Sequence, residues 1–187
     1  VAVAMRPAAA ARRALLLSAA GALLGLALPV PEGLRAQSPP AEARPVDPAR
    51  FLAFAYSSAM LQERASTLAA SKDTRPEVKE FAREMARFRA GQLGRLRRIA
   101  GERGLQLPKE EEFEHKVVLE NLEPLDYLAL SRRYAEIQVQ ALEQEIRGYE
   151  AAAQGPDEGM KRLAAETLGQ LRTRQDAARR MEAAVKP

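Results

Sequence analysis

Apolar residues recur at spacings of three and four residues along four long segments of this chain, and this periodicity constrains the fold more than any other feature. In the second segment, Val78, Phe81, Met85 and Phe88 follow it. Side chains at these spacings share one face of an α-helix. Because no segment shows the alternation of apolar and polar residues that is typical of a strand, the sequence predicts an all-α domain over residues 47–187.

Capping signals and helix-breaking residues set the expected helix boundaries. Asp47 followed by Pro48 is typical of a helix start. Thr74, with Glu77 three residues later, predicts a capping box at the start of the second helix. Glycine and proline residues then give the remaining limits, so the four expected helices are 47–71, 74 to 101 or 104, 124–155 and 156–185.

The lengths of the connections indicate how the four helices are arranged. The first and second helices, and the third and fourth, are joined by only a few residues, so each pair is expected to form an antiparallel hairpin. A longer acidic stretch, residues 109–121, separates the two hairpins and is expected to be a short helix or a turn. Two hairpins with a long crossover between them predict an antiparallel four-helix bundle.

The first 36 residues are typical of a secretory signal peptide. A short basic region precedes an apolar run over residues 14–30, and prolines and small residues follow it, so cleavage is expected after Ala36. The run is short for a transmembrane helix. Residues 1–4 form an extension ahead of Met5, and the proline-rich residues 37–46 are expected to be a disordered tether. The protein is therefore expected in the periplasm.

Export changes how the charge of the chain is interpreted. The pair Arg12 and Arg13 permits the twin-arginine route as well as the general secretory route, and the sequence does not separate them. Removal of residues 1–36 lowers the Lys and Arg count from 29 to 25 and the Asp and Glu count from 25 to 24. A net charge of only about +1 then gives no reason to expect nucleic acid as a partner.

Few residues of the chain are suited to catalysis or cofactor binding. It has no Cys, no Trp and a single histidine, His115. Neither a nucleophilic triad nor a haem or redox site can be assembled from these residues. We therefore expect no enzyme activity and no cofactor. Glu112 and His115 have the i, i+3 spacing of a di-iron ligand pair, but the second pair that such a site needs is missing. A solvated acidic turn is the favoured interpretation. Weak divalent-metal binding through carboxylates and His115 is the alternative.

The second helix carries an arginine-rich flank. Arg83, Arg87, Arg95 and Arg98 could contact anionic lipid at a membrane surface. Such residues more often pair with carboxylates of neighbouring helices on a solvated surface. Peripheral lipid contact is therefore a secondary expectation.

Several short motifs of the chain have counterparts in one known protein family. Residues 76–85 (PEVKEFAREM) are similar to its P-x-V-K-x-F-A-x-x-M, and residues 105–108 (LQLP) to its G-x-x-L-P hinge. Residues 133–139 (RYAEIQV) resemble its Y-x-x-x-Q-V, and residues 168–171 (LGQL) lie where L-P-x-L is usual. In these motifs the chain resembles a bacterial family of exported proteins, domain of unknown function 4142, and the resemblance implies a ferritin-like four-helix fold. Members are often labelled predicted outer-membrane proteins.

The chain departs from the family pattern at three positions where members typically carry histidine. It has Arg89, Leu142 and Arg174 there. Since arginine cannot replace a neutral imidazole as a metal ligand, any metal role that the resemblance implies does not carry over. One hypothesis is that Arg89 and Arg174 supply fixed positive charge instead, paired with carboxylates such as Glu63 or Glu143.

These observations together predict an exported, non-enzymatic helical-bundle protein. Its expected role is binding or structural support in the cell envelope, with an unknown protein or envelope component as partner. The alternative function is that of a divergent ferritin-like protein that binds a divalent metal through carboxylates and His115.

Overall fold

The computed structural model of the chain describes residues 46–72, 74–110 and 112–186, which form five α-helices and no strand. The all-α prediction is therefore confirmed for these residues. The predicted signal peptide and nearly all of the tether lie outside them. Within them, no helix is both long and apolar enough to cross a membrane. The helices are α1 (Pro48–Ser71), α2 (Pro76–Glu102), α3 (Phe113–Leu122), α4 (Tyr127–Gln154) and α5 (Glu158–Val185).

The start of α1 agrees with the sequence. Asp47 is the N-cap, and its side chain accepts a hydrogen bond of 2.8 Å from the backbone N–H of Ala49. Pro48 occupies the first helical position, where its missing N–H costs nothing.

The predicted capping box of α2 is wrong. The helix begins at Pro76, and its N-cap, Arg75, makes no side-chain capping hydrogen bond. The Thr74 hydroxyl instead donates to the carbonyl of Ala69, at the end of α1. The N–H of Arg75 donates to Ser131 of α4, so tertiary contacts replace the expected local cap.

The starts of α4 and α5 also differ from the expected positions. Helix α4 begins at Tyr127 rather than near Pro124, and Tyr127 has a positive φ of 28°. Helix α5 begins at Glu158 rather than at Pro156, because the Asp157 side chain accepts from the N–H of Met160 at 2.9 Å and caps the helix there. The expected end of α4 at its C-cap, Gly155, is confirmed.

The four long helices all contribute buried apolar side chains, which form two core clusters. Helix α1 packs against α2, and α4 against α5, as the short connections predict. Helix α1 also packs against α4, whereas α2 and α5 meet along a looser seam. The interior is filled mainly by Leu, Ala, Met and aromatic side chains from all four helices.

Helix α3 is the crossover segment between the two hairpins. It packs on α1 and α4, so it lies on the side of the molecule opposite the α2–α5 seam. Leu119 and Leu122 point inward and are buried, whereas Phe113 and Val117 point outward and are 76% and 37% exposed.

Candidate functional site

A cluster of polar side chains lies inside the apolar core. Helix α1 contributes two of them, α2 two and α4 two, and each pair has the i, i+3 or i, i+4 spacing that places both side chains on the inner face of its helix. All six are buried: Ser58, Gln62, Arg89, Gln92, Glu145 and Tyr149. We call these six residues the polar core.

The centre of the polar core is an ion pair between Arg89 and Glu145. The Nη2 atom of Arg89 lies 2.7 Å from Oε2 of Glu145, and its Nη1 atom donates to Oε1 at 2.8 Å. Neither side chain has any exposed surface. This two-point geometry is the strongest arrangement available to a guanidinium and a carboxylate.

Two glutamines complete the hydrogen bonds of this pair. The amide of Gln62 donates to Oε2 of Glu145 at 3.0 Å and to Ser58 at 3.1 Å, and its oxygen accepts from Arg89 at 2.6 Å. The amide of Gln92 donates to Oε1 of Glu145 at 3.1 Å and to the Tyr149 hydroxyl at 3.0 Å. Its oxygen accepts from Arg89. Each carboxylate oxygen of Glu145 therefore accepts two hydrogen bonds.

Helix α4 also carries two buried tyrosines, Tyr149 of the polar core and Tyr134. Burial raises the pKa of Tyr149 and of Tyr134 well above the ordinary tyrosine value, since a phenolate in the core would lose its hydration. The hydroxyl of Tyr134 shares a 2.8 Å hydrogen bond with Ser66 of α1. Both rings therefore stay neutral and act as hydrogen-bonding groups.

Helix α4 carries a further buried polar side chain, that of Gln138. Gln138 is fully buried, and neither atom of its amide has a partner among the described residues. The Nε atom of Arg89 is likewise buried without a partner there. The core thus contains two glutamines whose amides donate and accept hydrogen bonds, Gln62 and Gln92, and one, Gln138, whose amide does neither among the described residues.

The three positions where the resemblance implies histidine have different surroundings. Arg89 is in the polar core, and Leu142 is buried among apolar side chains of the same interior. Arg174 is half-buried, and its guanidinium lies 3.5 Å from the centroid of the Phe88 ring, which the Arg89 guanidinium approaches at 5.1 Å. Burial lowers the pKa of Arg174, and the positive charge of Arg89 lowers it further.

The carboxylates proposed from sequence as partners are not the ones used. Glu63 accepts from Thr67, and Glu143 pairs with Arg147 on the surface. Glu145 pairs with Arg89 instead, and sequence analysis missed it. Its helical phase was the available signal, because Gln138, Leu142, Glu145 and Tyr149 follow an i, i+4, i+7, i+11 pattern on one face.

The remaining sequence candidates lie apart from the polar core. Glu112 is the exposed N-cap of α3, and Nδ1 of His115 hydrogen-bonds the Ser57 hydroxyl of α1 at 2.9 Å. Within the part of the chain that the structure describes, no three His, Cys, Asp or Glu side chains are grouped so as to hold a metal. Of the arginine flank, Arg83, Arg87 and Arg98 are exposed, and Arg95 pairs with Glu166 of α5.

A cavity of about 220 Å³ opens in the seam between α2 and α5. Its walls are mainly apolar, and Gln92 forms part of them, so this residue connects the cavity to the polar core. The lining residues are Phe88, Gly91, Gln92, Arg95, Leu96, Leu163, Thr167 and Gln170.

Comparison with known proteins agrees with the motifs of the sequence. No curated protein and no solved structure matches the chain. A family model described as a domain of unknown function, DUF4142, matches residues 34–181, which is most of the chain. The protein therefore belongs to the DUF4142 family.

Proposed function

We propose that this protein is an exported, non-enzymatic component of the cell envelope. Its four long helices form a ferritin-like bundle that serves binding or structural support in the periplasm, after cleavage of a signal peptide at Ala36. Residues 37–46 then lie between the cleavage site and the bundle.

The observation that carries this proposal is the buried Arg89–Glu145 ion pair, whose carboxylate has no oxygen without a hydrogen bond. Ferritin-like metal sites use inward carboxylates and histidines from several helices. In this core both carboxylate oxygens of Glu145 already accept hydrogen bonds from Arg89 and from two glutamines. The positively charged guanidinium of Arg89 therefore occupies the position that a metal ion would need. The hydrogen bonds of the polar core connect α1, α2 and α4.

The metal-binding alternative through Glu112 and His115 has little support. Glu112 extends into solvent, and His115 is engaged with Ser57. A single imidazole with one exposed carboxylate gives too few ligands for a stoichiometric transition-metal site.

Metal analysis of the full chain, purified without an affinity tag, tests the proposal. We expect iron, manganese and zinc far below one equivalent, and a melting temperature that neither chelator nor added metal changes. The matched control is a Glu112→Ala/His115→Ala variant, which should behave identically. Stoichiometric metal in the native protein would contradict the non-metal function, and its loss in the double variant would place the metal at these residues.

Fractionation tests export separately. We expect the mature protein in the periplasm, with an N-terminus at Gln37.

Peripheral contact with anionic lipid through Arg83, Arg87, Arg95 and Arg98 is a weaker proposal, because Glu166 already engages Arg95. Co-sedimentation with vesicles of anionic and of neutral phospholipid, at low and high salt, tests it.

A further inference from the structure

Two unlike surfaces lie on opposite sides of the molecule. On one side, the outward face of α3 presents Phe113, Val117 and Glu120 at i, i+4, i+7 spacing, flanked by Glu114. All four are exposed. Residues 109–126 contain seven carboxylates and only two lysines. We call these four residues the acidic ridge.

On the other side, the α2–α5 seam presents an apolar cavity beside a row of arginines. Phe88, Leu96 and Leu163 line the cavity. Arg87, Gly91, Arg95 and Arg98 follow one another along α2 at i, i+4, i+8, i+11, so they form one stripe that borders the cavity. We call the cavity together with this stripe the basic groove.

The exposure of Phe113 is the strongest reason to expect a partner for the acidic ridge. Its ring is 76% exposed, the largest exposure of any large apolar side chain among the described residues. A protruding aromatic with carboxylates beside it is a typical anchor for an apolar pocket with a basic rim. The basic groove of this same chain has that character.

The acidic ridge is shorter than the arginine stripe and can lie within its length. From Phe113 to Glu120 the ridge extends roughly 10 Å along α3, and from Arg87 to Arg98 the stripe extends roughly 16 Å along α2. Gly91 lies at the mouth of the cavity, and a Cβ added to it would meet no atom within 4 Å. No atom therefore fills the space directly over Gly91 at the mouth.

We propose that the acidic ridge of one copy of this chain binds the basic groove of a second copy. Phe113 of the first copy enters the cavity, while its glutamates approach Arg87 and Arg98 of the stripe, since Arg95 already pairs with Glu166 of α5. Because the ridge and the groove lie on opposite sides of each molecule, this contact is head-to-tail, and it extends into rings or open chains rather than closing as a symmetric dimer. The proposal does not depend on export or on the absence of metal.

Sedimentation velocity of the purified full chain tests the proposal. We expect concentration-dependent association that weakens as salt is raised, because opposite charges face each other across the contact. Phe113→Ser removes the anchor, and Gly91→Gln obstructs the cavity. Each should weaken association by at least about tenfold. Both positions are exposed, so circular dichroism should show unchanged helix content.

Matched controls separate this contact from general surface effects. Gly94→Gln makes the same change three residues along α2, outside the cavity, and Leu128→Ser removes another exposed apolar side chain outside the ridge. Both controls should associate as the native chain does.

Mixing the two defective variants gives the decisive result. Phe113→Ser keeps a working groove and Gly91→Gln keeps a working ridge, so the mixture should form a one-to-one heterodimer and nothing larger. A native chain that stays monomeric at all salt concentrations would overturn the proposal. So would a symmetric dimer that Gly91→Gln leaves intact, or association that appears only on anionic vesicles.

Discussion

The guanidinium of Arg89 and the carboxylate of Glu145 form a two-point ion pair across the core, with 2.7 Å between Nη2 and Oε2 and no exposed surface on either side chain. The pair joins α2 to α4. Burial deprives both charges of hydration, so each depends on the other and on Gln62 and Gln92 for compensation. Loss of one charge should therefore be far more damaging than loss of both.

Removal of the cation alone should destabilise the protein strongly. Arg89→Met leaves Glu145 charged and buried without its partner, which we expect to lower the free energy of unfolding by about 3–5 kcal/mol. Urea unfolding followed by circular dichroism measures it. The control is the double variant Arg89→Met/Glu145→Leu, which should recover most of the loss. A double variant no more stable than Arg89→Met would show that the charges are not coupled.

Arg174 should contribute little to stability, although the sequence hypothesis gives it the same role as Arg89, that of a fixed positive charge at a family histidine position. Its stacking on Phe88 is favourable, but burial and the charge of Arg89 oppose its protonated form, as its lowered pKa shows. These effects offset each other, so Arg174→Met should change the free energy of unfolding by less than about 1 kcal/mol. The same urea experiment tests it. A loss as large as that of Arg89→Met would contradict this account.

The sequence predicted the helices well because each has a continuous inner face. Its failures arose where tertiary partners outweigh local ones. Thr74 has the spacing of a capping box, yet α2 begins only at Pro76, and the N–H of the preceding Arg75 donates to Ser131 of α4. Local spacing cannot show that a backbone N–H will donate to a side chain of a distant helix after folding.

The polar core was only half predicted, for a related reason. The resemblance implies histidine at the position of Arg89 and so marks it, but the sequence hypothesis pairs it with Glu63 or Glu143 rather than with Glu145. Glu143 and Glu145 are two residues apart on α4, and only helical phase distinguishes the solvated one from the buried one. A small error in phase was enough to misassign the partner.

Two buried glutamines should respond in opposite directions to the same substitution. Gln138 makes no hydrogen bond among the described residues, so Gln138→Met should leave stability unchanged or raise it by about 1 kcal/mol. Gln62 makes three hydrogen bonds within the polar core, and Gln62→Met should lower stability by about 2 kcal/mol or more, since Arg89 and Glu145 lose a partner. Thermal and urea unfolding of both variants measure this. Equal losses would show that the Gln138 amide is satisfied in solution.

Replacement of two glycines by alanine should likewise change the stability of the protein in opposite directions. A Cβ at Gly148 of α4 would lie 2.5 Å from the Phe54 ring of α1, so Gly148→Ala should cost about 1–3 kcal/mol through overpacking. Gly94 faces open space in the middle of α2, and Gly94→Ala should stabilise by roughly 0.5–1 kcal/mol through helix propensity. Melting temperatures of the two variants test the difference. A stabilised Gly148→Ala would mean that α1 and α4 can move apart at little cost.

Asp157 should make stability depend on pH in the acid range. Its carboxylate receives two hydrogen bonds of 2.9 Å from Arg103, at the end of α2, and one from the N–H of Met160 at the start of α5. The Arg103 hydrogen bonds, with that of Met160, lower the pKa of Asp157 to about 2 from its ordinary 3.8. A carboxyl whose pKa is lower in the folded state stabilises that state above the unfolded pKa, and the contribution disappears as pH falls through the folded one.

The stability difference between the native chain and Asp157→Asn should therefore be constant near neutral pH and shrink between about pH 4 and pH 2. Asparagine keeps the capping oxygen but not the charge, so this variant isolates the interaction with Arg103. Asp157→Ala loses the cap as well and should be less stable than Asp157→Asn by about 1 kcal/mol at every pH. Urea unfolding across this range measures both differences. If the native chain and Asp157→Asn lose stability in parallel as the pH falls, the Arg103 contact does not act on the folded state.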